Sequence, residues 1–251
     1  MKRSDIIVFL FLAFAALSLI PRDVCAFTKI FEQANDRYRQ GQYQEAILLY
    51  EQILNDGQAS GALYYNLGNS YFKTGRVGMA ILNYERARKY IPKDSDLRAN
   101  YAFALSQVKK TSSTQNPPFI KRMLDSYHRQ FSLDLIARII FVLYACGLIS
   151  AVVFMCSRWS SVITRVVLGL IAVLLVLHLI TFFYKKDIEA GAAVMIGQED
   201  ALFEPQMKAT KHFTLFDGTR VRIIEQREDW IKVQRLDGKM GWSRSLAVTK
   251  I

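Results

Sequence analysis

Residues 34–53 and 68–87 repeat one another 34 positions apart. Ala46, Ile47, Leu48, Tyr50 and Glu51 return as Ala80, Ile81, Leu82, Tyr84 and Glu85. Gly41 returns as Gly75, Asn35 as Asn69, and Tyr38 as Phe72. Small and large residues recurring at that period are the signature of stacked helical hairpins. One hairpin cannot bury its apolar faces alone, so neighbours stack and leave an elongated groove. The repeat predicts a binding surface and points away from catalysis.

The second copy is the cleaner one. Tyr64, Leu67, Gly68, Tyr71, Ala80, Tyr84, Ala87 and Pro92 stand at spacings that resemble the tetratricopeptide repeat. Gly68 and Ala80 are small enough for two helices to approach closely, and Tyr71 and Tyr84 fill the space beside them. Gly75 takes the left-handed geometry that ends the first helix, and Pro92 stops the second. The first copy is degraded at its front, with Gln33 and Arg37 where Leu67 and Tyr71 stand. It recovers in Gly41 to Ala46. A third first-helix is predicted over Ser95 to Val108, with Ala102 and Leu105 at the matching offsets. Residues 28–110 are thus expected to form two and a half repeats, the last helix capping the stack with a more polar face.

The resemblance implies a groove lined by the first helix of each repeat. That places Asn35, Tyr38 and Arg39 beside Asn69, Phe72 and Lys73, with Tyr65 nearby. An asparagine can donate to and accept from an extended peptide backbone, and Arg39 and Lys73 suit acidic groups. Against this stands the plainer reading of Asn35 and Asn69 as solvated helix residues. A carboxylate clamp is incomplete, because Asp96 and Asn100 occupy positions where cations would be needed.

The apolar residues, about half of the chain at 51%, are gathered in three blocks. The first reads as a signal peptide over residues 1–26: Lys2 and Arg3, then Ile6 to Ile20, then Val24-Cys25-Ala26 before Phe27. Two alternatives stand beside it. Cys25 as a lipidation site has Asp23-Val24 before it, a poor lead-in. A retained anchor would be short, since the apolar stretch Ile6 to Ile20 is fifteen residues long. The remaining cysteines, Cys146 and Cys156, both fall in an apolar block, so the polar regions have no disulfide framework and no cysteine metal site. Neither a cofactor nor a metal is expected.

After a polar linker at 111–118, residues 119–135 carry Ile120, Met123, Leu124, Tyr127 and Phe131 at helical spacing. Basic residues lie between them, as in an interfacial amphipathic helix. Packing against the repeats is an equal alternative. Ile139 to Cys156 then runs eighteen residues without a charge, roughly 27 Å at about 1.5 Å per residue. Arg158-Trp159-Ser160-Ser161 turns the chain, and Val162 to Tyr184 returns, closing at Lys185-Lys186. Residues 139–184 are therefore expected to form a transmembrane helix hairpin with both flanking domains on one side. Lys185, Lys186, Arg129 and Arg138 outside the hairpin, against Arg158 and Arg165 near its turn, favour the cytoplasm. The export signal favours the periplasm and acts first, so the periplasm is the expected side. His178 has no carboxylate partner in either span, and a structural role fits it better than a proton path.

Net charge is +11, but the cations are dispersed or flank the apolar blocks, which suits lipid headgroups. No nucleic-acid recognition pattern is present, so nucleic acid is not an expected partner.

Residues 190–251 read as short strands joined by turns, two of them with a period of two. Val221 and Ile223 alternate with Arg220 and Arg222, and Ile231 and Val233 with Trp230 and Lys232. Asp217-Gly218 and Asp237-Gly238 mark turns. With Gly241-Trp242, this resembles a small bacterial SH3-like barrel. Trp230, beside Lys232, is assigned to a contact surface for a peptide or glycan. Trp242 is a second candidate for that contact, although packing is the better fit for it.

The fold class expected is multidomain: an all-α tetratricopeptide solenoid, a two-helix transmembrane hairpin and an all-β SH3-like barrel. The order of modules resembles the E-type proteins of the aerotolerance (Bat) operon. That resemblance implies a bacterial inner-membrane protein working beside Bat proteins with von Willebrand-type domains and a MoxR-type ATPase. The function expected is a membrane-tethered scaffold holding a partner peptide; the alternative is peptidoglycan binding through the SH3-like domain. No H-E-x-x-H, G-x-S-x-G, Walker or G-x-G-x-x-G pattern occurs, so an enzyme is not expected.

Overall fold

The computed structural model describes residues 23–108, 131–156 and 162–251. The signal peptide up to residue 22, the linker 111–118, residues 119–130 of the amphipathic segment and the turn at Arg158 to Ser161 lie outside the described residues. The chain divides into two compact units, Met1–Ala59 and Ser60–Ile251.

The first unit contains the hairpin of α1 (Asp23–Arg39) and α2 (Tyr43–Asn55). Gly41 turns the chain at φ 77°, a conformation that suits glycine. Ala34, Ala46, Ile47, Tyr50 and Ile53 form the buried stripe between the helices.

In the second unit, α3 (Gly61–Lys73) and α4 (Val77–Tyr90) form the next hairpin, followed by α5 (Ser95–Gln107). The helix ends follow their local chemistry. Ser60 caps α3 by accepting the Leu63 N–H at 3.1 Å, and Asp94 caps α5 by accepting that of Leu97 at 2.7 Å. α4 ends at Tyr90, just ahead of Pro92. Gly68 explains the tightness of the hairpin: a Cβ there would lie 2.7 Å from the Tyr84 ring. In α5 the buried residues are Leu97, Tyr101 and Ala104, each 34 positions after Leu63, Leu67 and Ser70. Ala102, the counterpart of Gly68, is exposed, because no described helix pairs with α5 as α4 pairs with α3.

Two long apolar helices follow, α6 (Leu133–Cys156) and α7 (Val162–Ala190). Both contain stretches long and apolar enough to cross a membrane, Leu133–Ala151 and Arg165–Ala190. They pack along each other, with Gly147 of α6 facing Ile171 of α7. Val166, Leu170, Val173, Leu177 and Ile180 are exposed on α7. That helix does not stop at Tyr184 but runs through Lys185-Lys186 to Ala190. Lysine is a good helix former, and Gly191 is the first residue that breaks the run.

The C-terminal part is a seven-stranded antiparallel sheet in the order β3-β2-β6-β5-β4-β1-β7. Its strands are β1 (Ala192–Met195), β2 (Glu199–Leu202), β3 (Lys211–Leu215), β4 (Arg220–Arg227), β5 (Trp230–Arg235), β6 (Met240–Arg244) and β7 (Val248–Lys250). The outermost strands β3 and β7 send Phe213, Leu215 and Val248 into one cluster with Met195, Val221, Ile231 and Val233. Edge residues share a core in this way only if the sheet curls over itself. Gly218 and Gly238 hold the expected turns at φ 78° and 89°.

The sheet is seated on α4. Arg76, at the start of that helix, supplies no side-chain cap; instead Asp217 accepts the Gly78 N–H at 2.7 Å, with its other oxygen taking the Gly197 N–H at 2.7 Å. Gly218 lies so close that a Cβ would stand 2.7 Å from Ile81 and 2.9 Å from Val108. Farther along, Arg86 donates to the Lys250 carbonyl and Lys89 to that of Ile251, both at 3.0 Å.

Candidate partner-binding surface

The recurrence of Asn35 as Asn69 and of Tyr50 as Tyr84 is explained by one hydrogen bond made twice. The Tyr50 hydroxyl donates to Asn35 Oδ1 at 2.7 Å, and the Tyr84 hydroxyl donates to Asn69 Oδ1 at 2.7 Å. Each bond ties the first helix of a hairpin to the second, 15 residues on. Both asparagines thus have a structural task that the sequence reading missed, although Asn and Tyr recur together at the repeat period.

On α3 and α5, five polar and aromatic side chains come together. Asn100 donates its amide to the Tyr65 hydroxyl at 2.8 Å and to Asn69 Oδ1 at 3.0 Å. Asn69 Oδ1 therefore accepts two bonds, one from each neighbouring helix. One turn further along, the Phe72 ring meets Phe103 edge-on at 5.5 Å, and Phe103 is 58% exposed. Lys73 is exposed beside them. Asn100 and Phe103 belong to this surface yet were not assigned to it from sequence. Phe103 stands at the repeat offset from Asn69, and that offset was the available signal.

The first unit carries the equivalent residues on α1. Tyr38 packs edge-on against Tyr43 at 5.2 Å, and exposed Arg39 is ion-paired with Asp36.

Behind Asn100 the next residue faces the opposite way. Tyr101 is buried and donates to the Glu85 carboxylate, which also pairs with Arg220 at 2.6 Å and Arg88 at 3.0 Å. Burial, reinforced by that carboxylate, holds the Tyr101 hydroxyl well above its ordinary titration range. One carboxylate therefore joins α4, α5 and β4.

In the sheet, Trp242 is buried, with the Arg227 guanidinium 5.1 Å and the Lys232 ammonium 5.8 Å from its ring. Trp230 is half-buried and lines an open cleft of about 370 Å³ with Gln198, Glu199, Asp200, Leu202, Met207 and Arg244. The Arg244–Glu199 ion pair, 2.6 Å long, forms one wall. Hydrogen bonding to Lys211, whose ammonium stands 2.9 Å away, holds the Asp200 carboxyl below its usual range. Among the described residues, no group of three or more His, Cys, Asp and Glu is arranged to hold a metal.

Comparison with known proteins agrees with the helical part. Residues 61–94 match the family model of the tetratricopeptide repeat. Over 72 residues the chain is 39% identical to tetratricopeptide repeat protein 16 of Macaca fascicularis and, equally, to that of Homo sapiens. The match takes in 29% of this chain and 8% of each relative, so the chain spans less than a tenth of the curated proteins it matches. A tetratricopeptide repeat is present, and such repeats are non-enzymatic interaction units.

Proposed function

We propose that this protein is a membrane-tethered scaffold that holds a segment of a partner protein on its repeats. The single observation that carries the reading is the surface of α3 and α5. There, the exposed Phe103 ring, the half-buried Phe72 ring and the exposed Lys73 lie next to the hydrogen-bonded group of Tyr65, Asn69 and Asn100. Phe72 and Phe103 offer apolar contact, Lys73 pairs with an acidic group, and the Asn69 amide meets a peptide carbonyl. Asn35, Tyr38 and Arg39 serve the same roles on α1. In this proposal α6 and α7 form a transmembrane hairpin, residues 1–26 direct export, and the soluble parts face the periplasm. The curled sheet is assigned the SH3-like barrel, with Trp230 as its contact residue and Trp242 packed within it. By its module order the chain acts beside Bat-type von Willebrand-domain proteins and a MoxR-type ATPase in an aerotolerance or stress complex of the inner membrane.

Crosslinking and co-purification from membranes test this directly. Replacing Phe72, Lys73 and Phe103 by Ala removes the exposed contacts and keeps the Asn–Tyr bonds, so recovery of partner is expected to fall sharply in a folded protein. Unchanged recovery from that variant rules out the surface.

A second reading is favoured by the cleft at Trp230, where an aromatic wall and charged rim suit a cell-wall glycan or its peptide. Under this alternative the chain binds peptidoglycan. Sedimentation with purified sacculi, lost on Trp230→Ala and unaffected by the α3–α5 variant, distinguishes it.

A further inference from the structure

The base of the two apolar helices is pinned to the repeats. Lys185 of α7 donates to the Phe131 carbonyl and pairs with Glu189 at 3.4 Å. Lys93, in the turn between α4 and α5, places its ammonium 5.2 Å from the Phe131 ring centre. The α4–α5 turn, the start of α6 and the end of α7 therefore meet at one level.

Around this junction the cations divide into two kinds. Lys185 is buried and paired, and Arg222 pairs with Asp187 at 2.6 Å. Lys93, Arg138 and Lys186 are exposed, and none of them forms an ion pair with a described residue. Arg138 starts about 8 Å along α6 from Leu133 at about 1.5 Å per residue, within reach of the same level for a long side chain. Tyr90, 52% exposed at the end of α4, adds an aromatic ring 5.8 Å from that of Tyr64. Cations with aromatic rings, set where apolar helices end, match the chemistry of a headgroup layer.

We propose that Lys93, Arg138 and Lys186 form a binding rim for anionic phospholipid headgroups, which lays the α4–α5 turn against the bilayer surface. The proposal rests on the reading of α6 and α7 as membrane-spanning. Charge complementarity selects the occupant: three cations with no ion pair among the described residues face phosphates, and an acidic protein segment would have no reason to sit where the apolar helices enter lipid.

The test uses the full chain in nanodiscs of phosphatidylcholine with a minor fraction of phosphatidylglycerol. Lipids that stay with the protein after gentle detergent extraction are quantified by mass spectrometry. The native chain is expected to retain phosphatidylglycerol enriched about fivefold over the bulk mixture, the factor that corresponds to one well-placed cation. The K93Q/R138Q/K186Q variant should return the ratio to that of the bulk, while K93R/R138K/K186R preserves it. Equal retention by the native and glutamine variants, or no enrichment in the native chain, overturns the rim. Alkaline carbonate washing of cell membranes separates the two levels. A chain that washes off defeats the membrane-spanning reading and the rim with it, whereas a chain that stays but shows no enrichment defeats the rim alone.

Discussion

At the scale of single residues, the repeat is held by buried hydroxyls that find acceptors. Tyr84 is almost fully buried, and its bond to Asn69 joins two helices. Replacing Asn69 by Ala removes an acceptor from a buried donor, a loss of about 1–3 kcal/mol. We expect Asn69→Ala to lower the melting temperature clearly, and Asn69→Ala with Tyr84→Phe to cost less than the sum of the two single changes; calorimetry of the three variants measures the coupling. Tyr101 gives a prediction in pH. Its hydroxyl has an ordinary value near 10 and is raised in the folded protein, so the native state holds that proton more tightly than the unfolded chain. The resulting stability is complete below about pH 10 and is lost as the pH climbs above it. Thermal unfolding followed from neutral to strongly alkaline pH should fall more steeply for the native protein than for Tyr101→Phe. The Asn and Tyr pairs were visible in the sequence as recurrences, yet a one-dimensional pattern cannot say whether a recurring asparagine faces a ligand or a neighbouring helix.

At the scale of elements, what was legible depended on how local its cause was. Gly75 at φ 78° and the end of α4 before Pro92 follow from residues within a turn of the event. So do the strands around Val221 and Ile231, where inward and outward residues alternate. The extension of α7 to Ala190 is not legible from Lys185-Lys186, because charge limits how deep a helix sits in lipid and does not end it. The cap of α4 was out of reach for a different reason. Asp217 lies 139 residues from Gly78 and read only as half of a turn signal. Its carboxylate satisfies a first-turn N–H and meets the positive end of the helix dipole. Asp217→Ala should therefore cost about 1–2 kcal/mol, as losses of good caps do, and Asp217→Asn less, because one oxygen acceptor remains. Urea unfolding monitored by helical circular dichroism reads the difference.

At the scale of the whole molecule, each unit has its own logic, and in Ser60–Ile251 the sheet serves the helices. Stacked repeats need a covered or polar end, and the sequence assigned that task to α5. In the structure the sheet covers α4: Asp217 caps it, Gly218 lies against Ile81 and Val108, and Arg220 neutralises the buried Glu85. Removing the sheet would leave Glu85 without one of its two arginines and would uncover Ile81, so the helices and sheet should unfold as one cooperative body. Two of the three tryptophans, Trp230 and Trp242, report on the sheet, while circular dichroism reports mainly on the helices. In urea and mild detergent, the fluorescence transition should coincide with the main loss of helical signal. Gly218→Val strains a left-handed backbone position and drives a side chain into Ile81, so it should move both transitions together to lower urea. An independent sheet would give two separate midpoints in the native protein, and Gly218→Val would then shift the fluorescence alone.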